Sequence, residues 1–192
     1  MEKLTGPQKI KTAVFISGAG SNLKNIVKFS KIKISPISID LIVSNTHRAN
    51  GLNFADKHKI KKKIFNFNNF KSAEKNILLL LKKEKIKFIC LAGFMKILSK
   101  NFIKNFSGKI INIHPSLLPK YKGLNTHEKA IKNKDNFSGC TVHYVTSKLD
   151  SGKIIMQKKV KIKNNESSTS LAKKVLKQEH KLYPAAIMKI FN

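Results

Sequence analysis

Short apolar runs rich in β-branched residues alternate along this sequence with segments whose apolar residues recur every three or four positions. Successive parallel strands need a crossover helix between them, whereas antiparallel strands need only a turn. The alternation therefore predicts an α/β fold, in one domain over residues 1–192, with a mostly parallel, twisted sheet covered by helices on both faces. Strands are predicted at 12–17, 37–43, 63–67, 88–92, 109–113, 140–145 and 153–161, and helices from 21 onward and at 50–58, 72–85, 99–106, 126–134 and 168–190.

The composition limits the class of protein. Hydrophobic residues make up 41% of the 192 residues, which suits one globular core. No apolar run approaches the ~20 residues of a membrane span, and the N-terminal segment MEKLTGPQKIK lacks the apolar stretch of a signal peptide. Cys90 and Cys140 lie in apolar surroundings and do not indicate a disulfide framework. We therefore expect a cytoplasmic protein with no membrane partner.

The charge is strongly basic, with 39 Lys and Arg residues against 10 Asp and Glu and a formal net charge of +29. A nucleic-acid surface would concentrate this charge and would use arginine for bidentate contacts. Here the lysines occur along the whole chain and Arg48 is the one arginine. We therefore attribute the charge to compositional bias and expect no specific nucleic-acid partner. A basic nucleic-acid-binding α/β module stays open as an alternative function.

A glycine-containing junction joins the first predicted strand to the first predicted helix. Its sequence is Gly18-Ala-Gly20-Ser21-Asn22. Glycines let the backbone approach an anion, and a helix N-terminus offers unpaired N–H groups. The third glycine of a dinucleotide fingerprint is missing, because Leu23 stands there, and no Walker pattern is present. The junction therefore favours a phosphate monoester, and the alternative is an ordinary strand-to-helix turn with a serine N-cap.

The segment NIHPSLLPKYKG, residues 112–123, places two polar side chains at the end of a predicted strand. Residues two apart in a strand point to the same face, so Asn112 and His114 can reach one point. In open α/β sheets ligands bind at that strand end. An amide donor beside an imidazolium suits oxyanion stabilisation in acyl transfer. The alternative is a strand-end histidine that bonds a backbone carbonyl.

Acidic residues are scarce, and Asp150 stands in a turn-rich link between the last two predicted strands. A carboxylate close to His114 would keep the imidazole charged and raise its pKa above the ordinary value. Taken alone, Asp150 is also a common turn former. The histidine spacing fits no zinc site, and no G-x-S-x-G elbow is present. We therefore expect no metal and no serine or cysteine nucleophile.

Five motifs occur in one order along the chain, and together they resemble the phosphoribosylglycinamide formyltransferases. They are GAGSNL (18–23), LAGFMKILS (91–99), NIHPSLLPKYKGLNTHEKAI (112–131), GCTVHYVTSKLDSGKII (139–155) and KQEHKLYP (177–184). The resemblance runs from about residue 11 to 190 and implies a formyltransferase-type, Rossmann-like fold. It also implies a substrate-phosphate half at about 11–105 and a catalytic and folate half at about 88–192.

The resemblance further implies an activity. It is the transfer of a formyl group from 10-formyltetrahydrofolate, as co-substrate, to the amine of 5-phosphoribosylglycinamide in purine biosynthesis. The substrates are small molecules, no metal takes part, and the protein is a monomer or a homodimer. A formyltetrahydrofolate hydrolase, with water as the acceptor, stays open as a second alternative.

The resemblance also assigns roles to single residues. Asn112, His114 and Asp150 match the catalytic trio. The substrate is held by Gly18, Gly20, Ser21, Asn22 and, at the ribose, Glu179. Folate is bound by a strand in the cleft, by Asn112 and by a loop that closes over it. The strand consists of Met95, Lys96, Ile97 and Leu98. The loop consists of Thr146, Ser147, Lys148, Leu149 and Asp150.

Some positions depart from the pattern of this family. Lys96 stands where relatives commonly have arginine, Asn125 replaces a histidine, and Leu176 replaces a polar residue near the ribose. A basic residue that the family carries near the start of the helix predicted at 72–85 is hard to align here, and Lys71 is only a candidate stand-in. The resemblance also predicts a cis peptide bond between Leu118 and Pro119.

Overall fold

The predicted alternation of strands and helices forms a seven-stranded sheet with helices packed against it. The computed structural model describes residues 8–191. Residues 1–7 and Asn192 lie outside this range, and with residues 1–7 lies most of the stretch on which the prediction of no signal peptide depends. The strands are β1 (Ile10–Ile16), β2 (Ile37–Ser44), β3 (Lys61–Ile64), β4 (Phe88–Leu91), β5 (Lys109–His114), β6 (Phe137–Tyr144) and β7 (Ile154–Lys161). The helices are α1 (Ser21–Ser30), α2 (Gly51–Lys57), α3 (Phe70–Lys83), α4 (Lys100–Asn105), α5 (Thr126–Lys132) and α6 (Ser168–Phe191).

The strand order is β3-β2-β1-β4-β5-β6-β7. Strands β1 to β5 pair in parallel, whereas β6 pairs antiparallel with both β5 and β7. The chain moves outward from β1 to β3 on one side and then returns to place β4 on the other side of β1. Ligands of open α/β sheets bind where the direction of winding changes in this way. The carboxyl ends of β1 and β4 are therefore the expected walls of a binding cleft.

Helices cover both faces of the sheet, as predicted. Successive side chains of a strand point to opposite faces, and β1 shows this: Val14 and Ile16 pack in one apolar cluster, whereas Ala13 and Phe15 pack in another. The first cluster includes buried residues of α1, α2, α5 and α6, and the second includes residues of α3 and α4. None of the helices within residues 8–191 is both long and apolar enough to cross a membrane.

The third strand is the clearest error of the sequence prediction. It was placed at 63–67, because Ile64, Phe65 and Phe67 look like an apolar strand, but β3 covers Lys61–Ile64. Phe67 instead lies beyond the strand and packs edge-on against Phe70 and Phe94. Since β3 is an edge strand, it needs one pairing partner and little apolar surface. Its lysines also oppose pairing with the edge of another sheet.

Side-chain hydrogen bonds of the N-cap residues determine where helices α3 and α4 begin. The Ser99 hydroxyl accepts a hydrogen bond from the Phe102 N–H, as expected of an N-cap. Helix α3 begins at Phe70, two residues before the predicted start, because the Asn69 side chain accepts from the Ser72 N–H and forms the cap. The peptide bond between Leu118 and Pro119 is cis, which confirms that prediction.

Two leucines of α3 provide a matched test of core packing. Leu81 is 1% exposed, whereas Leu79, on the outer side of the same helix, is 58% exposed. We expect Leu81→Ala to lower the free energy of unfolding by about 2.7–5 kcal/mol, because it leaves a cavity in the core. Leu79→Ala should change it by no more than about 0.5 kcal/mol. Urea unfolding checks both values, and similar losses from the two variants would contradict this packing.

Candidate active site

A cleft of about 800 Å³ opens at the carboxyl ends of β4 and β5, with Asn22 of α1 in its wall. Most of the residues that the sequence analysis assigned to ligands line it: Asn22, Met95, Lys96, Ile97, Leu98, Asn112, His114, Thr146, Lys148, Leu149, Asp150 and Glu179. Gly18, Gly20, Ser21 and Ser147 are not among the lining residues. The cleft therefore brings together residues that lie up to 157 positions apart in the chain.

Asn112 and His114 lie on one face of β5, as predicted. Ile111 precedes Asn112 and Ile113 lies between the two polar residues. Both isoleucines belong to the apolar cluster on the opposite face of the sheet. Both polar side chains line the cleft, and His114 is 5% exposed. The two-residue period of the strand therefore places an amide and an imidazole at one end of the cleft.

Both ring nitrogens of His114 face acceptors. Nε2 lies 2.8 Å from the carbonyl oxygen of Tyr121, and Nδ1 lies 3.4 Å from Oδ2 of Asp150. A carbonyl can only accept, so Nε2 carries a hydrogen and donates it to Tyr121. The hydrogen bond to a backbone carbonyl, which was the alternative to a catalytic role, is therefore present. The contact with Asp150 is present beside it.

The protonation of His114 differs from the expectation. Burial lowers the pKa of His114 below its ordinary value of 6.5, although the Tyr121 carbonyl and the Asp150 carboxylate both act to raise it. The prediction of a raised pKa is therefore wrong, because the loss of hydration outweighs the carboxylate. The imidazole is mainly neutral at pH 7, with Nδ1 free to accept a proton.

Asp150 reaches the site from the loop between β6 and β7. Its Oδ2 accepts from the Gly123 N–H at 2.9 Å, and its Oδ1 lies 3.6 Å from Nε2 of His143. Burial acts to raise the pKa of Asp150, but the contacts with His143, with the Gly123 N–H and with His114 lower it overall. The predicted proximity of Asp150 to His114 is confirmed, and the carboxylate is ionised at neutral pH.

His143 is a residue of the site that the sequence analysis missed. It stands directly opposite Asn112 in the pairing of β5 with β6, and its Nε2 lies 3.2 Å from the amide nitrogen of Asn112. Its Nδ1 lies 2.8 Å from the Tyr144 carbonyl and donates to it, so Nε2 is the nitrogen that faces both the Asn112 amide and Asp150. The contact orients the Asn112 amide. The second N–H of this amide could then donate to an oxygen of a bound ligand. Only the strand register reveals this pair, and the register is not readable from the sequence.

The glycine junction packs tightly against the start of α2. Gly20 has φ 74° and is the N-cap of α1, so the alternative of a serine N-cap is wrong. A Cβ on Gly20 would lie 2.8 Å from the Cα of Gly51, and the Gly51 N–H donates to the Gly18 carbonyl at 3.1 Å. Only glycine fits this position, because it needs both a positive φ and room for the neighbouring backbone.

Asn22 and Glu179 form a buried pair between α1 and α6. The Asn22 amide donates to Oε2 of Glu179 at 2.6 Å, and both residues line the cleft. Burial raises the pKa of Glu179 above its ordinary value, against the opposing effect of Asn22. Oδ1 of Asn22 is buried without a hydrogen-bond partner among the described residues. The pair therefore leaves hydrogen-bonding capacity for a polar ligand at the wall nearest the glycine junction.

The segment Met95–Leu98 is irregular rather than the predicted strand, since β4 ends at Leu91. Hydrogen bonds anchor it at both ends: the Met95 N–H donates to the Ser17 hydroxyl at 2.8 Å, and the Ser99 N–H donates to Glu74 at 2.7 Å. These side-chain contacts hold the segment in place of the backbone pairing that a strand would make.

Large apolar side chains stand exposed around the cleft. They are Met95 (64% exposed), Ile97 (55%), Leu124 (67%) and Leu149 (47%), and all four line the cleft. Exposed apolar surface that surrounds a cleft is typical of a ligand-binding groove. This wall therefore suits a flat, largely apolar molecule.

Two of the four residues that depart from the family pattern line the cleft. Lys96 and Asn125 line it, and Asn125 has φ 59°, in the left-handed region that asparagine tolerates. Lys71 and Leu176 are not among the lining residues.

Comparison with a family model matches residues 10–187 to the formyl transferase family. The chain is 41% identical over 180 residues to the phosphoribosylglycinamide formyltransferase of Haemophilus influenzae, covering 92% of this chain and 85% of that protein. It is 39% identical over 183 residues to the human trifunctional purine biosynthetic protein adenosine-3. That match covers 94% of this chain but spans only 18% of the length of the human protein.

Solved structures show the same fold. The phosphoribosylglycinamide formyltransferase of Brucella melitensis is 38% identical, with a TM-score of 0.90 over 95% of this chain and 96% of that one. The enzyme of the same name from Bacillus halodurans is 32% identical, also with a TM-score of 0.90, over 95% of each chain. The sheet order and the helices on both faces are therefore shared with these proteins.

The buried carboxyl of Glu179 predicts an unusual pH dependence of stability. A folded-state pKa above that of the unfolded chain gives stability at low pH that is lost as the pH rises through the folded value. Glu179→Gln cannot ionise, so it should have a higher free energy of unfolding than the wild type at pH 7, and the difference should shrink toward about pH 4. Urea unfolding at both pH values measures this difference.

Glu166 provides the control of opposite sign. Lys174 and the Lys163 N–H lower its pKa to about 2, so its contribution is present above the unfolded pKa and is lost as the pH falls. Glu166→Gln should therefore destabilise the protein at pH 7. If Glu179→Gln is also destabilising at pH 7, the buried carboxyl is not raised in pKa.

Proposed function

The chain belongs to the formyl transferase family, and from that premise we propose that it transfers a formyl group from 10-formyltetrahydrofolate to the amine of 5-phosphoribosylglycinamide in purine biosynthesis. The observation that carries this proposal is the meeting of Asn112, His114 and Asp150 at one end of a cleft. On one side of them lies a glycine junction at a helix N-terminus, and on the other lies an apolar wall. Two different ligands can thus meet at these three side chains.

The glycine junction is the proposed site of the substrate phosphate. The first N–H groups of α1 have no partner within the helix, and the helix dipole favours an anion there. Gly18, Gly20, Ser21 and Asn22 would hold the phosphate, whereas Glu179 would hold the hydroxyl groups of the ribose. This arrangement directs the glycinamide amine of the substrate toward Asn112 and His114.

The apolar wall is the proposed site of the folate. Ile97, Leu124 and Leu149 are exposed and can cover the rings of the donor. Residues Thr146, Ser147 and Lys148 belong to the loop that would close over it. The ammonium groups of Lys96 and Lys148 stand beside this wall and would attract the carboxylates of the folate tail. Lysine in place of arginine keeps the charge but not the bidentate geometry.

The proposed chemistry is direct attack of the amine nitrogen on the formyl carbon. The new N–C bond forms, the formyl oxygen becomes an oxyanion, and the Asn112 amide donates to it. The bond from that carbon to the folate nitrogen then breaks, and one proton moves from the amine to this nitrogen. Loss of one oxyanion donor typically lowers kcat by ~10²–10³.

His114 and Asp150 are the proposed route of this proton. The neutral imidazole can accept it at Nδ1, since Nε2 donates to Tyr121. Asp150, ionised and 3.4 Å away, would stabilise the resulting imidazolium. The imidazolium would then donate to the oxyanion or to the departing nitrogen. The histidine thus needs to be charged only while the proton is in transit.

The test of this function is an absorbance assay of tetrahydrofolate formation with and without glycinamide ribonucleotide. We expect turnover only when the acceptor is present, with the formyl group recovered on the glycinamide product. Turnover at the same rate without the acceptor would instead identify a hydrolase. Absence of turnover in both reactions would contradict formyl transfer.

Asp150→Asn should lower kcat by ~10²–10⁴-fold, the range of general acid–base contributions, with the KM values little changed. The variant keeps the shape of the side chain but removes the charge that stabilises the imidazolium. Steady-state kinetics across pH 6–9 measure the effect. Asp56→Asn is the matched control, because Asp56 is an exposed carboxylate of α2 that pairs with Lys62 of β3. Near wild-type kcat in Asp150→Asn would leave Asp150 with a turn-forming role only.

A further inference from the structure

Tyr121 is held in a conformation that non-glycine residues rarely adopt. It has φ 53°, in the left-handed region, and its carbonyl oxygen lies 2.8 Å from Nε2 of His114. This residue stands between the cis Leu118–Pro119 bond and Gly123, outside the set assigned above to substrate or folate. Residues in sparsely populated conformations persist only when the surrounding structure holds them.

The phenol of Tyr121 provides that hold. It donates to Oδ2 of Asp135 at 2.8 Å and accepts from the Asn133 amide at 2.9 Å. Lys120 adds an ion pair to Oδ1 of Asp135 at 3.0 Å. Asp135 is itself tied to α5, since its N–H donates to the Ala130 carbonyl at 3.0 Å. The bonds connect the loop after β5 to the end of α5, and we call them the tyrosine clamp (Lys120, Tyr121, Asn133 and Asp135).

The position of the Tyr121 carbonyl determines which nitrogen of His114 can exchange a proton. Because a carbonyl only accepts, Nε2 keeps its hydrogen in the neutral and in the charged imidazole. The nitrogen that gains and loses a proton is therefore Nδ1, on the side of Asp150. If the carbonyl moved away, the neutral ring could place its hydrogen on either nitrogen, and a hydrogen on Nδ1 would block the acceptance of a proton there.

We propose that Tyr121 and Asp135 are positioning residues which, through the tyrosine clamp, keep the hydrogen of neutral His114 on Nε2. Neither residue is among those that line the cleft, so both would act only through the imidazole. The consequence for catalysis rests on the proposed function, in which Nδ1 accepts the proton of the attacking amine. The placement of the hydrogen itself does not depend on that function.

Other ionisable groups also face His114, and a measurement of its titration has to take them into account. They are Asp150 in the loop after β6, His143 in β6, and His127 and Lys129 in α5. Burial lowers the pKa of His127, whose Nδ1 is buried without a partner among residues 8–191. The Tyr121 carbonyl lies at Nε2 and Asp150 lies at Nδ1, so the two contacts are made by different nitrogens of the ring.

Nitrogen NMR of ¹⁵N-histidine-labelled protein tests the proposal without any substrate, because protonated and unprotonated imidazole nitrogens have well-separated shifts. His114→Asn assigns the signals. In the wild type, at a pH where the ring is neutral, we expect Nε2 to be the protonated nitrogen. In Tyr121→Phe, which keeps the ring packing and removes only the hydroxyl, the form with the hydrogen on Nδ1 should rise at least several-fold. An unchanged ratio in Tyr121→Phe overturns the proposal.

Kinetics of formyl transfer give a second, independent measurement. We expect kcat to fall by roughly 10-fold in Tyr121→Phe, less than for removal of the proton-transfer group itself, with both KM values within about twofold of the wild type. Asp135→Ala should have the same effect, and the double variant should lose no more than either one, because all three changes break one clamp. Losses that multiply in the double variant would show that the two residues do not act together.

Glu84→Ala is the matched control for Asp135→Ala. It removes a carboxylate that pairs with Lys61 at 2.6 Å, far from the cleft, and it should leave both the tautomer and kcat unchanged. A loss of kcat without a change in tautomer would also overturn the proposal, because the effect would then not pass through His114. A wild type that forms no product would refute the proposed function, while the NMR ratio would still decide where the hydrogen lies.

Discussion

The antiparallel pairing of β5 with β6 is the constraint on which the site depends. Parallel strands bring the ends of β1, β4 and β5 to one edge of the sheet, but β6 runs in the opposite direction and places His143 opposite Asn112. The chain then turns back at the cleft, and Asp150 lies in that return loop. Gly152 closes the loop against the Tyr144 carbonyl, where a Cβ would lie only 1.7 Å from the oxygen. A change of this register by one residue would turn His143 to the other face of the sheet.

Seven acidic side chains of this basic chain differ in their partners. Four pair with lysines, namely Asp56 with Lys62, Glu84 with Lys61, Asp135 with Lys120 and Glu166 with Lys174. Three others accept from neutral donors: Glu74 from Ser99, Glu179 from Asn22, and Asp150 from the Gly123 N–H. Burial separates Asp150 and Glu179 from the large positive charge, so their protonation depends on local contacts. The net charge of +29 therefore does not determine the chemistry of the cleft.

The sequence predicted most of the fold, because the two periodicities and the cap residues are local signals. It also placed Asn112 and His114 on one face of β5, since that needs only the period of a strand. It misplaced β3, where apolar residues beyond the strand pack in the core, and it missed the irregular path of Met95–Leu98, which the Ser17 and Glu74 side chains hold. His143 and the Tyr121 clamp were missed as well. Both depend on contacts between distant segments, and the lowered pKa of His114 depends on burial, which no local pattern records.

We expect two ligands to meet at Asn112, His114 and Asp150, and a crystal structure of the ternary complex would show whether they do. The protein would be crystallised with glycinamide ribonucleotide and an unreactive analogue of 10-formyltetrahydrofolate. We expect the phosphate at Gly18–Asn22, the folate rings against the wall of Ile97, Leu124 and Leu149, and the amine within reach of the formyl position beside Asn112. A phosphate bound elsewhere with the glycine junction empty, or an amine directed away from Asn112 and His114, would contradict this expectation.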